Sequence, residues 1–262
     1  MAQANSRIDD TWRSYFSERC HPDVEALARA YPDRRSLYVD LVDLYGYDSE
    51  FTVALFDAPG RFLRRAVAVL CAGYDVFDHV NVRVTNNPAL FQLADLGAGH
   101  LHELVTVEGV AASVDPVGAT AAVAVFECDA CGESVEVRPY GVRLSAPHHC
   151  DECGGSGTVR FRPGRSTFVD LGRVSFGPST EEDGDDPRTV DVYLADDLVD
   201  AVAPGDGFLV TGIVRPVRAG PSNRFDLCID GLAVADERTD VADRSLAEVI
   251  QSRWESMSAD PE

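Results

Sequence analysis

Four cysteines are the residues best placed to do chemistry. Cys128-Asp-Ala-Cys131 and Cys150-Asp-Glu-Cys153 form two Cys-x-x-Cys pairs with eighteen residues between them. Each pair can turn the chain so that two sulfurs point to one side. Two such turns supply the four thiolates of a tetrahedral zinc ribbon. Gly132 and Gly154 follow directly, where the turn needs a residue tolerant of positive φ. The expectation is one structural Zn2+ per chain, held by Cys128, Cys131, Cys150 and Cys153. Four protein sulfurs leave no open position for a reacting water, so the metal would be structural. Iron suits the same four ligands. A redox role would need one pair, not two, and disulfides are disfavoured in a cytoplasmic protein. His148 and His149 stand beside Cys150 as competing ligands, more simply read as neighbours or solvent-facing. Cys20, Cys71 and Cys228 sit singly in apolar runs and read as core thiols.

Other chemistry is hard to find. The 23 basic residues are all arginine, so the phosphate-binding loop that reaches nucleotide phosphates with a lysine cannot be built. Gly154-Gly155-Ser156-Gly157 lacks the frame of a nucleophile elbow, and paired carboxylates are too numerous to single out. The reading is a protein that is not an enzyme. Against those 23 cations stand 44 acidic residues, 29 of them aspartate, for a net charge of -21. The acids are spread along a chain with clear apolar periodicity, which argues against disorder. The composition predicts a halophilic surface, tolerable where molar salt shortens the Debye length to about 3 Å. No stretch is apolar for long enough to span a membrane, and Met1–Asp10 has no secretory pattern. A cytoplasmic location is expected.

The elements that must position the cysteines change period along the chain. Up to about residue 75 the pattern is helical. Ile8, Trp12, Tyr15 and Phe16 share one face, and Val24, Leu27, Ala28 and Tyr31 follow Pro22. Ser36 precedes a third predicted segment with Leu37, Tyr38, Leu41 and Val42, ended before Gly46. Pro59 opens a further one with Phe62, Leu63, Ala66, Val67 and Leu70, closed at Gly73. From Asn81 the period becomes two. Strands are predicted at Val82–Val84, Leu104–Val107, around Val123 and Val125, and at Phe168–Phe176, Val190–Leu194, Phe208–Val214 and Phe225–Ile229. Short strands at this spacing imply a small barrel or sandwich, into which the cysteine segment is inserted. Glu181–Asp186 reads as a solvated acidic loop. Residues 235–244 read as a linker before a capped amphipathic helix carrying Leu246, Val249, Ile250, Trp254 and Met257.

A helical bundle followed by a β-barrel with an inserted four-cysteine ribbon resembles the N-terminal region of the minichromosome maintenance (MCM) replicative helicases, particularly haloarchaeal ones. The resemblance runs from about Val24 to Val234. It rests on Tyr31-Pro32, Arg35 to Asp40, Asp43-Leu44, Val82-Arg83 with Asn86, and His100 with Leu104 to Val110. It continues through Phe126-Glu127-Cys128, Phe168-Val169-Asp170, Pro187-Arg188, Asp197 to Asp200, Pro204-Gly205-Asp206 and Val210 to Ile213. The resemblance implies an α+β fold: a helical subdomain (1–92), an OB-fold barrel (93–126 and 157–235) and a zinc ribbon (127–156); the acidic linker and C-terminal helix (236–262), read from their own pattern, lie beyond it. It also implies assembly with itself or with an MCM helicase ring, hexameric in the family, around single- or double-stranded DNA.

The family's AAA+ motor has no counterpart here, so the resemblance points to a free-standing paralogue, with a truncated helicase as the other reading. Ala111, Ala112, Ser113 and Asp115 stand where the family places basic residues, which removes charge from the first barrel hairpin. Ser175-Phe176-Gly177-Pro178 replaces a segment that serves the motor. Arg215, Arg218 and Arg224 are the leading phosphate candidates, with Arg160 and Arg162, beside Arg165, as a second set. Phe161, Phe168, Phe176 and Phe225 could stack on bases. Two functions remain: a DNA-binding and oligomerisation module in DNA replication, or an interaction module that assembles with the helicase and binds DNA weakly or not at all.

Overall fold

The computed structural model describes residues 2–87, 90–141, 144–157, 159–178, 189–218 and 223–236. The acidic loop at Glu181–Asp186, Pro187-Arg188, and the linker and helix beyond residue 236 lie outside them.

Five helices form the first body: α1 (Ala2–Glu18), α2 (His21–Ala30), α3 (Leu41–Tyr47), α4 (Ser49–Asp57) and α5 (Pro59–Gly73). Their predicted apolar faces turn inward. Trp12 and Tyr15 of α1, Leu27 of α2, and Leu63, Ala66 and Leu70 of α5 are almost fully buried. The Trp12 indole N–H donates to the Phe62 carbonyl at 3.0 Å, so its polar edge is satisfied as it is buried.

The third predicted helix is only half helix. Ser36–Asp40 is a strand, β1, pairing in parallel with β2 (Asn81–Thr85). Leu37 and Val39 are buried while Tyr38 between them is exposed, the period of a strand. Asp40 decides where the helix begins, since its carboxylate accepts from the Val42 and Asp43 backbone N–H groups. Gly46 lies within α3 and not past its end. The following α4, unmarked by the apolar pattern, is capped by Asp48, which accepts from the Phe51 N–H at 2.9 Å.

The second body is a closed barrel. β4 (Leu104–Cys128), β7 (Thr167–Gly177), β8 (Val190–Ala195), β10 (Phe225–Asp236) and β9 (Gly207–Arg218) pair in that order, and β9 returns to β4. β8 and β10 run parallel and the other barrel pairs antiparallel, which is the OB arrangement. A short β3 (Leu90–Phe91) joins the edge of β4. Two separate strands were expected where the structure has one. β4 runs unbroken through Pro116 and Gly118, absorbing them at register shifts between Ala111 and Ser113, Pro116 and Gly118, and Ala121 and Val123. Ala111 to Asp115 therefore lie along β4 opposite β7, not at a hairpin tip. Ser175–Gly177 likewise belongs to β7 and not to a loop, because fully buried Phe176 packs there against Phe208 in the barrel core.

The ribbon grows from the far end of β4. Residues Ala124–Glu127 pair with β5 (Ser134–Val137), and Phe126–Cys128 pair with β6 (Val159–Phe161). Its strands thus reach beyond the 127–156 expected from the cysteines. The segment leaving β5 returns to the body: Arg138 donates to the Asp78 carbonyl at 3.2 Å, and the half-buried Tyr140 donates its hydroxyl to the Val82 carbonyl at 3.3 Å. Gly141, at φ +84°, then lies where a Cβ would run into the Asp230 carboxylate. Asp230 is buried and held by Arg215, so it cannot give way. Gly141→Ala is expected to destabilise the protein by about 1–3 kcal/mol, read as a lowered thermal midpoint.

Between the first body and the barrel lies a buried polar junction. Arg83 of β2, 5% exposed, pairs with Asp197 and donates to the Ala195 and Leu232 carbonyls and to Ser36 Oγ. Arg35 pairs with Asp196 at 2.5 Å, and Asn81 donates to the same carboxylate at 2.8 Å.

Candidate metal centre and nucleic-acid face

The two cysteine pairs fold as near copies of one turn. The Gly132 N–H donates to the Cys128 carbonyl and the Gly154 N–H to the Cys150 carbonyl, both at 2.8 Å. Across each turn Cys128 N–H reaches the Glu133 carbonyl and Cys150 N–H the Gly155 carbonyl. Both glycines hold positive φ, +76° and +67°, as the spacing required. Each turn buries its first sulfur-bearing residue and exposes its second: Cys128 and Cys150 are inside, Cys131 and Cys153 outside.

The four sulfurs face one another within 4.8 Å. Cys128 and Cys153 Sγ are 3.7 Å apart, as are Cys131 and Cys150 Sγ. A tetrahedron with metal–sulfur bonds of about 2.3 Å has edges of about 3.8 Å, so these spacings suit a four-thiolate metal. They are far too long for a disulfide, whose sulfurs lie about 2.05 Å apart. His148 and His149 are exposed, and His149 pairs with Asp151 at 3.1 Å. Cys20 and Cys228 are buried and Cys71 half-buried, each apart from the cluster.

The candidate phosphate ligands fall into three places. Arg160 pairs with Asp129, Arg162 bonds Glu127 at 3.0 Å, and Arg165 bonds Glu127 at 2.9 Å and Ser134 at 3.0 Å. This set joins β6 and the turn after it to β4 and the first knuckle. Arg215 points inward: it donates to Asp230 at 3.1 Å and to His102 Nδ1 at 3.2 Å. Since a guanidinium only donates, His102 accepts through Nδ1. Arg64 of α5 stands close by, its pKa held below the usual arginine range by burial and by the Arg215 charge. Arg218 and Arg224 are exposed at the β9–β10 hairpin end, where Arg218 pairs in register with Phe225. Arg224 lies 3.5 Å from Asp226.

The aromatics divide similarly. Phe176 is fully buried and unable to meet a base. Phe168 and Phe225 are about half exposed, at 44% and 48%. Phe161 is half-buried and packs on Phe126 and Phe168 at the base of the ribbon. The junction residues His79 and Asp196 stand outside every motif of the sequence, and Asp197 enters only through the family resemblance. An arginine inside the Val82–Val84 alternation was the available signal, because a cation in a strand buried on both faces demands carboxylates from elsewhere.

Comparison with known proteins places this geometry. Residues 92–218 match the family model described as the MCM OB domain. The DNA replication licensing factor mcm4 of Schizosaccharomyces pombe is 28% identical over 77% of this chain and 23% of its own length. The Minichromosome maintenance protein MCM of Saccharolobus solfataricus is 28% identical over 67% of this chain and 26% of its own. The chain thus spans about a quarter of the length of these curated relatives. Among solved structures, the N-terminal domain of an archaeal MCM matches with a TM-score of 0.73 and 26% identity, covering 88% of this chain and 98% of that one. The helical body, barrel and ribbon together therefore have the fold of an archaeal MCM N-terminal domain, and the barrel segment matches the MCM OB domain.

Proposed function

We propose that the chain is a DNA-binding and oligomerising module of the MCM N-terminal type, acting in DNA replication without ATPase activity of its own. The observation that carries this reading is the match to an archaeal MCM N-terminal domain over 98% of that domain. In it the ribbon holds one structural zinc through Cys128, Cys131, Cys150 and Cys153, a fit supported by the sulfur spacings. The metal would act as a cross-link between the end of β4 and the strands it pairs with. The surface charge of -21 suits an archaeal protein working at high salt in the cytoplasm.

Phosphate contact is assigned to the hairpin end, through Arg218 and Arg224, with Phe225 available to stack on a base. Arg215, Arg160 and Arg162 serve carboxylates less exposed than the Asp226 beside Arg224, so their loss is expected to weaken the fold before it weakens DNA binding. Binding to fluorescent single-stranded DNA, titrated against salt, tests this. Arg218→Gln with Arg224→Gln is expected to lower affinity and to flatten the log–log salt slope by about 1.4, or about 0.7 per lost phosphate contact. An unchanged slope would remove the hairpin from the interface.

One observation favours the interaction reading: Arg160, Arg162 and Arg215 are turned onto acidic partners in a strongly acidic chain. If wild-type protein binds no DNA at low salt yet elutes as an oligomer, alone or with an MCM helicase, that second reading stands.

A further inference from the structure

A cavity of about 100 Å³ opens where the helical body, the barrel and the returning ribbon segment meet. Its wall includes Arg64, His79, Asn81, Arg138, Tyr140 and Asp196. Buried polar atoms lacking a hydrogen-bond partner gather there. Among the described residues, His79, 9% exposed, makes no hydrogen bond through either ring nitrogen, although Nε2 lies 4.0 Å from the Asp196 carboxylate, and the buried Nε of Arg138 makes none. Such atoms are costly to leave unmatched, and their concentration at one cavity points to a polar occupant.

The chemistry of the wall selects the occupant. Most of its acceptors are engaged: Asp196 by Arg35 and Asn81, Asp230 through Oδ2 by Arg215, and the Val82 carbonyl by Tyr140, while Asp230 Oδ1 makes no hydrogen bond among the described residues. Arg83 is held by Asp197. What remains is mostly donors, since the neutral His79 ring adds one acceptor nitrogen to its one N–H. Arg64 pairs with no carboxylate among the described residues, Arg138 keeps its Nε–H, and His79 supplies a ring N–H. A volume of this size exceeds one water molecule, and donors beside cations favour a negatively charged guest over a neutral one.

We propose that this junction cavity is a binding site for one small oxyanion of the phosphate or sulfate kind, held by Arg64, His79 and Arg138. The guest bridges α5, the turn before β2 and the ribbon's return segment, so occupancy ties the three parts of the molecule together. This proposal does not depend on DNA contact at the β9–β10 hairpin.

His79 gives the site a pH dependence. Burial holds its pKa below the ordinary histidine range; Asp196 opposes this, Arg35 adds to it, Asp78 opposes and Arg138 adds. The other charged or titratable groups facing the cavity are Arg64, Arg83, Tyr140, Tyr193 and Asp230. The tyrosines stay neutral, their pKa values raised chiefly by burial. Protonation adds a second ring donor and a charge, so an oxyanion binds more tightly as pH falls.

The test is titration of the full chain with sodium sulfate, whose charge is constant across the neutral range, at fixed ionic strength in chloride. Histidine ring resonances are followed by NMR. A saturable shift is expected in one ring, absent in His79→Gln, with affinity falling about tenfold or more in Arg138→Gln. Arg64→Gln, on the exposed side of α5, is expected to weaken binding too, and serves if Arg138→Gln disturbs the fold. Inorganic phosphate and a 5′-phosphorylated oligonucleotide as further titrants separate a free ion from a nucleic-acid end. No saturable shift, or equal affinity in both arginine variants and wild type, overturns the proposal.

Discussion

Cys150→Ser is expected to abolish metal binding and to unfold the ribbon while the helical body and barrel stay folded. The ribbon has little else to hold it. β5 has four residues and β6 three, and the apolar contacts between them and β4 centre on Phe126 and Phe161. So small an assembly buries too little surface to fold by itself. A structural zinc contributes about 10–16 kcal/mol in isolated finger peptides, and that binding energy is folding energy. Elemental analysis is expected to return about one zinc per wild-type chain and essentially none in the variant. Cobalt-substituted wild type should show the absorption of a tetrahedral thiolate site. Amide exchange should rise across Ala124–Phe161 and stay slow around Trp12 and Phe176. The same metal content and exchange in both proteins would remove the thiolate centre. Acid should mimic the variant, because the ligands are thiolates and protons compete for them.

Arg83→Leu is expected to cost about 3–5 kcal/mol of stability, the scale for breaking a buried ion pair by removing one partner. Asp197 would keep its charge with no guanidinium, and the Leu232 and Ala195 carbonyls and Ser36 would each lose a donor. Arg83→Lys is expected to recover only part of this, since an ammonium cannot span four acceptors in the plane a guanidinium does. Asp197→Asn should cost less, because that carboxylate is about one third exposed and water can replace part of what it loses. Urea unfolding is the measurement. A shift in midpoint below that of Asp197→Asn would show that the junction is not centred on Arg83.

The four-cysteine cluster was legible because its information is local. Two turns, each with its sulfurs three residues apart and a glycine behind, fix their own geometry, and the structure adds only their meeting. The inward faces of α1 and α5 were legible for the same reason, through apolar periodicity sustained over about two and a half turns. What escaped depended on partners distant in sequence. Leu37, Tyr38, Leu41 and Val42 satisfy helical spacing, yet β2, more than forty residues away, supplies the pairing that makes Ser36–Asp40 a strand. Pro116 and Gly118 looked like strand ends because nothing local reveals that β7 accommodates both with register shifts. The arginines misled for a related reason: charge is visible in sequence, but whether Asp129, Glu127 or Asp230 already neutralises it is decided by the fold.

The unbroken β4 has a mechanical consequence. Its first residue, Leu104, packs into the core shared with the helices, and its last, Cys128, belongs to the four-cysteine cluster. One covalent backbone thus couples the knuckles to the seam where β4 meets β9. A push on the ribbon tip from a neighbouring molecule travels along a stiff rod, whose three register shifts are the places where it can flex. Torque at the outermost cysteines is therefore felt at the barrel closure beneath the helices, so the lobe works as a handle on the whole body.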